Sequence, residues 1–287
     1  MNKNSRPKNF NFPYIDEFLT EFKRGNLDME RIWGSNVHFG FWDHPQGVAG
    51  TSSDFIAASK RMNEVLINKA HIRAGAKILD VGCGFGGTLQ QINRAFDRLY
   101  LCGLNIDPRQ LKRARAKVKP KGTNEIKFVH GDACQLPFPD QSFDILFAIE
   151  CAFHFRSRAA FLAEAKRVLK KNGKLIISDF VFFLPTQLLF QVWMNHSSAL
   201  KTWGPLKTTS ELAYYSKLLA QGFQNVSFEN ITPFTKPNYN LLFNTHQGSK
   251  ALKGGLLFEA INRLNLVKYV IIEAESTQRT ETHPSYG

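Results

Sequence analysis

Residues 76–87 read AKILDVGCGFGG, and this stretch decides the fold. AKILDV is a short apolar run of strand length, and the glycines behind it let the backbone turn tightly and come close to a ligand. The next residues, FGGTLQQINRAF, carry a helical pattern. Working outward, the same alternation repeats. LYLCGLNI is a second apolar strand, followed by the helix PRQLKRARAKV with Pro108 in its first turn. Then come strands at EIKFVHGDA and FDILFAIE, a helix at SRAAFLAEAKRVL and a strand at GKLIISDFV. Gly173 is expected to end that last helix in a left-handed conformation. Strands apolar on both faces, alternating with helices, predict a parallel sheet covered on both sides.

The rhythm breaks over 182–208, which is aromatic and apolar, and resumes with a helix around Glu211 to Ala220. Strands near VSFENIT and VKYVIIEAE complete a sheet of seven. No internal repeat or Gly/Ser linker divides the chain. The expected organisation is one α/β domain over 1–287: a helical cap at 14–70, a ligand-binding core at 76–181, and insertions at 182–208 and 233–265 that would form lids.

Bulk properties narrow the function. The 287 residues are 43% hydrophobic and 21% charged, which suits a folded domain with a sizeable core. The 25 Phe suit an apolar pocket and a Phe-rich core equally well. A net charge of +13 raises the question of nucleic acid, an anionic membrane or an acidic substrate. The densest basic cluster is Lys112, Arg113, Arg115, Lys117, Lys119 and Lys121, on a stretch read as a solvated surface helix and its exit. Cys83, Cys102, Cys134 and Cys151 form no CxxC pair, so no metal site is expected, and a reducing, cytoplasmic setting is. The start of the chain has no apolar signal core. Phe180 to Phe190 is too short for a bilayer, which takes about 20 apolar residues, so no membrane span is expected. Oligomeric state stays open between monomer and homodimer.

The glycine loop admits two readings. Gly82, Gly84 and Gly87 fit GxGxxG, a dinucleotide fingerprint that is weak alone. Asp80, inside the end of the strand, speaks against it, because an acid there would repel a pyrophosphate yet tolerate an ammonium group. The second strand ends at Asn105, where dinucleotide sites place an acid on the ribose. A later cluster, GDACQLPFPDQSFD, offers Asp132 as an acceptor and the Ala133 N–H as a donor for an adenine ring.

Together these elements resemble the class I S-adenosylmethionine-dependent methyltransferases, over residues 76–181, with LLAQGFQNVSFENIT resembling that family's late helix and strand. The resemblance implies a Rossmann-like, doubly wound, mostly parallel seven-stranded sheet and S-adenosyl-L-methionine as methyl donor. It implies cofactor contacts from Asp80, Gly82, Gly84, Asn105, Ile106, Gln110, Asp132, Ala133 and Glu150. Ile106 would pack on the adenine and Glu150 would pass the methionine part. The family usually carries an acid where Asn105 stands, although small-molecule N-methyltransferases of the sarcosine/dimethylglycine type also look like "LNI" here. Asp107 is read as solvent-exposed, and a solvated helix position competes with the cofactor reading of Gln110.

An oxygen nucleophile needs its proton removed, and histidine suits that task. His154 in ECAFHF and Asp179 in LIISDF both end strands at the ligand edge of the sheet. The pair resembles that of sugar O-methyltransferases of the rebeccamycin type, which implies His154 as base and Asp179 as its partner. The segment RIWGSNVHFGFWDHP resembles the cap of tocopherol-type and dimethylglycine-type enzymes. It implies His38 as a second candidate base and Trp33, with Trp42, closing over the ligands. Stapling of the N-terminal helices is the competing reading of these aromatics. Phe183 and Trp193 are expected on the acceptor wall, with Trp203, Phe243 and Phe258 among other apolar residues.

The expected activity is methylation of a partly hydrophobic small-molecule acceptor, such as a natural-product hydroxyl. An amine is the alternative and carbon the third choice. Nucleic-acid methylation is not expected, since no Pro-Pro pair is present to make a (D/N/S)PP(Y/F/W) motif and no RNA-binding module is visible. A non-catalytic binding protein and a nicotinamide-dependent oxidoreductase are the remaining alternatives.

Overall fold

A computed structural model describes residues 12–46, 51–196, 204, 206–238 and 266–277. The N-terminal part supplies α1 (Pro13–Lys23), α2 (Leu27–Trp33) and α3 (Ser52–Ala70). The Asn26 side chain caps α2, and Thr51 with Asp54 forms a capping box at α3. Next come β1 (Lys77–Val81), α4 (Gly87–Ala95), β2 (Tyr100–Asn105), α5 (Pro108–Lys117), β3 (Glu125–His130), β4 (Phe143–Ile149), α6 (Arg158–Val168) and β5 (Leu169–Phe182). The chain continues through α7 (Leu184–His196), α8 (Glu211–Ala220), β6 (Phe223–Asn230) and β7 (Val267–Ser276).

The sheet order is β3-β2-β1-β4-β5-β7-β6, with β7 antiparallel to both of its neighbours and the other pairings parallel. Continuous apolar strands are required because successive side chains bury on opposite faces. Leu79, Val81, Leu104, Leu146, Ala148 and Ile177 pack with α6 and α8; Ile78, Leu101, Ile145, Phe147 and Ile176 pack with α3, α4 and α5. The seven-stranded doubly wound sheet expected from the sequence is the one found.

A third core joins the N-terminal helices to the glycine loop. Phe85 from that loop packs with Phe18, Phe22, Ile32, Trp33, Trp42 and Phe55. Trp33 stacks on Phe18 at 5.3 Å between ring centroids and abuts Phe55 at 4.9 Å. It therefore staples α1–α3 together and does not close over the cavity, a correction to the sequence reading; Trp42 lies in the same core, as the stapling reading has it.

Three further expectations change. Gly173 is not a helix end: α6 runs directly into β5, and Gly173 pairs with Ser276 inside that strand. The left-handed residue is Asn172, and a Cβ at position 173 would stand 2.9 Å from the Lys170 carbonyl oxygen. The basic cluster is only partly a solvated face. The Arg113 guanidinium lies 4.3 Å from the Phe22 ring and pairs with Glu30, which also holds Lys117 at 2.9 Å; one turn earlier, Arg109 pairs with Asp16 at 2.6 Å. These ion pairs fasten α1 and α2 to α5. Phe183, expected on the acceptor wall, is 58% exposed. The side chain of Trp193, and Trp203, Phe243 and Phe258, lie outside the described residues. No described helix is long and apolar enough to cross a membrane.

Candidate active site

A cavity runs along the C-terminal edge of β3, β2, β1 and β4, roofed by α1 and by the strap 35–38. The turn after β1 forms its floor. Gly82, Gly84 and Gly86 all adopt positive φ, at 74°, 52° and 85°. A Cβ at Gly82 would strike Cys151 at 2.8 Å, whereas one at Gly84 would meet nothing within 4 Å. Gly84 thus leaves bare backbone facing the cavity, the approach a bound ligand needs. Asn36 stands over Gly87 at the start of α4, held by a hydrogen bond from the Asn63 amide at 3.1 Å; Thr88 donates to the Asn63 oxygen at 3.1 Å.

At the β2–β3 end, the Asn105 amide donates to Gln110 at 2.8 Å, and the Asn105 oxygen accepts from the Asp107 N–H at 3.1 Å. Gln110 is buried on the cavity rather than solvated. Asp107 is buried too, as the N-cap of α5 held by Arg109. Ile106 and Ala133 also line this end. One oxygen of Asp132 accepts from the Cys134 N–H at 2.7 Å, and the other faces Arg156 at 3.4 Å.

Two carboxyls face the opposite end. Asp80 is buried, receives no hydrogen bond from the described residues, and is pushed by burial to a pKa of about 8. Glu150 is the first residue past β4 and has a left-handed backbone, φ 48°. Its Oε2 accepts from the Phe39 N–H at 2.7 Å; its Oε1 is buried with no hydrogen-bond partner among the described residues. Burial raises this carboxyl to about 8 as well. A cavity walled by two buried acids without a cationic partner is built for a positively charged guest.

The two candidate bases differ. His38 Nδ1 lies 2.9 Å from the Phe39 carbonyl oxygen. A carbonyl only accepts, so Nδ1 carries the proton and Nε2 presents a lone pair. Nε2 is buried with no hydrogen-bond partner among the described residues, and burial lowers the pKa, keeping the ring neutral. His154 Nε2 lies 3.4 Å from the Tyr14 hydroxyl, and the ring packs against Tyr14, Phe12 and Phe153. Asp179 is not its partner. That carboxylate is taken by Arg158 at 3.1 Å, in a pair whose side chains are 0% and 5% exposed. A guanidinium reaching over from the start of α6 outcompetes a neutral imidazole for a buried carboxylate.

The methyltransferase domain family matches residues 79–177, which span the glycine loop and β1 to β5. Over these residues the chain carries a methyltransferase domain. Geranyl diphosphate methyltransferases of the same fold have been solved with S-adenosyl-L-homocysteine and with SAM, at 14% and 18% identity to this chain and TM-scores of 0.69 and 0.66. This methyltransferase is 28% identical over 212 residues to the 27-O-demethylrifamycin SV methyltransferase of Amycolatopsis mediterranei, covering 74% of this chain and 75% of that relative. It is 33% identical over 180 residues to a methyltransferase of Streptomyces halstedii, covering 61% of this chain and 63% of the relative. The fold is shared with a mycolic acid cyclopropane synthase solved with SAH and CTAB, at a TM-score of 0.74 and 15% identity over 92% of this chain and 95% of that one.

In this methyltransferase the cavity brings together Asp80, Gly82, Gly84, Asn105, Ile106, Gln110, Asp132, Ala133, Glu150, His38 and His154. Sequence reasoning missed Phe12, Tyr14 and Ile15, which α1 lays across the cavity, and Asn36 and Arg156. Asn36 sits two residues before His38 in the WGSNVHFG segment, so that motif held a signal for it. Tyr14 carries none, since it meets His154 across 140 residues of sequence.

Proposed function

We propose that this methyltransferase methylates a hydroxyl oxygen of a small, partly apolar acceptor, and that His38 takes the hydroxyl proton. The observation behind this is the His38 ring itself: a fixed tautomer and a neutral imidazole, buried beside Asn63, on a residue that lines the cavity. Bound S-adenosylmethionine supplies a methyl carbon already activated by its sulfonium. The chain supplies alignment and a proton acceptor. Gly82 and Gly84 lay backbone against the donor, with Asp80 at its amino-acid end. Asn105 and Gln110 face its ribose, and Ile106, Asp132 and Ala133 hold its adenine. Glu150 lines the methionine end. The relative from Amycolatopsis, whose name specifies an O-demethylated rifamycin, supports oxygen as acceptor.

A second reading assigns the base to His154. Its Nε2 contact with Tyr14 and its aromatic surround suit an amine acceptor held against rings, with carbon the third choice. Asp179 has a positioning role in either case, through Arg158. We further propose no nucleic-acid partner, because several residues of the densest basic cluster are spent on α1, α2 and Phe22, and a reducing, cytoplasmic setting, which the four free cysteines suit.

The test is tritiated methyl transfer to a panel of hydroxylated natural products, beginning with 27-O-demethylrifamycin SV. His38→Asn should lower kcat by roughly 10²–10⁴-fold and leave the donor Kd within about threefold. Turnover kept by His38→Asn and lost by His154→Asn would move the base to His154.

A further inference from the structure

Glu150 is the first residue past β4 and lines the cavity. β4 lies between β1 and β5, with Asp80 opposite Phe147 and Ile149 opposite Ser178. The adenosine end of the cavity is at β2 and β3, so Glu150 lies at the far end, on the side of His154. Its backbone is held there by its own N–H, which donates to the Ser178 carbonyl at 3.0 Å. A left-handed φ favours glycine, and a carboxylate kept at such a position is held by its surroundings.

The carboxyl is half anchored. Oε2 accepts from the Phe39 N–H, and Oε1 is shut from solvent without a formed hydrogen bond among the described residues, the Tyr269 hydroxyl being the polar neighbour that favours its ionised form, against the larger effect of burial. The titratable groups that face it are Tyr14, Cys151, Asp179 and Tyr269, none of them a cation. Arg158, which Asp179 holds, is engaged in that ion pair. A buried carboxyl so placed needs either a proton or a positive guest.

We propose that Glu150 gauges the charge on the cofactor's sulfur: ionised against the sulfonium of S-adenosylmethionine, protonated against the neutral thioether of S-adenosylhomocysteine. The site thereby holds the donor more tightly than the spent product, and product leaves more readily than donor arrives and is lost. The proposal rests on the cofactor lying in this cavity. It adds a residue whose interaction changes sign of need during the reaction, since the two ligands share adenosine, carboxylate and ammonium and differ only at sulfur.

The test is calorimetric titration of the full chain with each ligand at about pH 7. The wild type should bind S-adenosylmethionine at least about tenfold more tightly than S-adenosylhomocysteine, the coupling that one pKa unit represents. In buffers of different ionisation heat, donor binding should release up to one more proton than product binding. Glu150→Gln keeps the shape and an oxygen for the Phe39 N–H. It should bring the two affinities within about threefold by weakening the donor, and abolish the extra proton. Glu150→Asp should restore part of the preference. Asp80→Asn, facing the amino-acid end common to both ligands, should shift both and keep the ratio. A ratio unchanged in Glu150→Gln with its melting temperature intact, or one that collapses in Asp80→Asn instead, would overturn the proposal alone. No binding of either ligand to the wild type would overturn the cofactor placement with it.

Discussion

Asp80→Asn isolates the cost of a buried acid in the ligand-free protein. The folded-state pKa of about 8 stands above the ordinary value of 3.8, so the native state holds a proton that the unfolded chain releases. A raised carboxyl contributes stability that is whole below the unfolded pKa and is lost as pH rises toward the folded one. The window is therefore about pH 4 to 8. Between about pH 5.5 and 7.5 each such carboxyl removes roughly 2.5 kcal/mol, from ~1.36 kcal/mol per pH unit while the native group stays protonated. Glu150, also near 8, follows the same course. Across that interval the wild type should lose about 5 kcal/mol from the two groups and Asp80→Asn about half as much, since Asn imitates the neutral acid without a titrating proton. At about 2 °C per kcal/mol for a chain of this size, the wild-type melting temperature should fall some 5 °C further than the variant's. Thermal melts of ligand-free protein at the two pH values measure it. Saturating S-adenosylmethionine should flatten the wild-type slope, because its positive charge favours the ionised acid. Equal slopes for wild type and variant without ligand would refute the claim that Asp80 is buried without a compensating partner.

Three other outcomes follow from the geometry. Arg158→Leu strands Asp179 in a dry site and should cost about 3–5 kcal/mol, with part recovered by adding Asp179→Asn; a urea midpoint equal to the wild type's would show the pair is not buried. Glu30→Ala combined with Asp16→Asn unfastens α1 and α2 from α5 and should speed donor release by about fivefold in stopped flow, as three partly exposed ion pairs worth about 1 kcal/mol together allow. Salt should reproduce this in the wild type and do little to the variant. Gly84→Ala adds a methyl to open space at a strained φ, so it should cost about 1 kcal/mol of stability yet block donor binding; Gly82→Ala strikes Cys151 and should destabilise by more, both read from melts with and without donor.

The alternation of strands and helices was legible because it rests on short-range physics. A strand buried on both faces must be apolar along its middle, and Ile78-Leu79, Leu101 to Leu104 and Ile145 to Ile149 are. The glycine loop was legible for the same kind of reason: Gly82, Gly84 and Gly86 take backbone angles other residues avoid. Gly173 shows the limit of such reasoning, since a glycine after a helix has more than one use. Here the strand begins before it, and crowding by the Lys170 carbonyl demands the missing side chain.

By itself the sequence determined the sheet, the glycine turn that floors the cavity and the acids and histidines brought to its edge, because each follows from a residue type at a local spacing. Only the tertiary structure decided who pairs with whom. It gave Asp179 to Arg158 instead of His154, set Tyr14 against His154 across 140 residues, and turned basic residues of α5 into fasteners for α1 and α2. Side-chain partnerships are settled by desolvation and by distances across the packed fold, and local spacing along the chain carries no record of either.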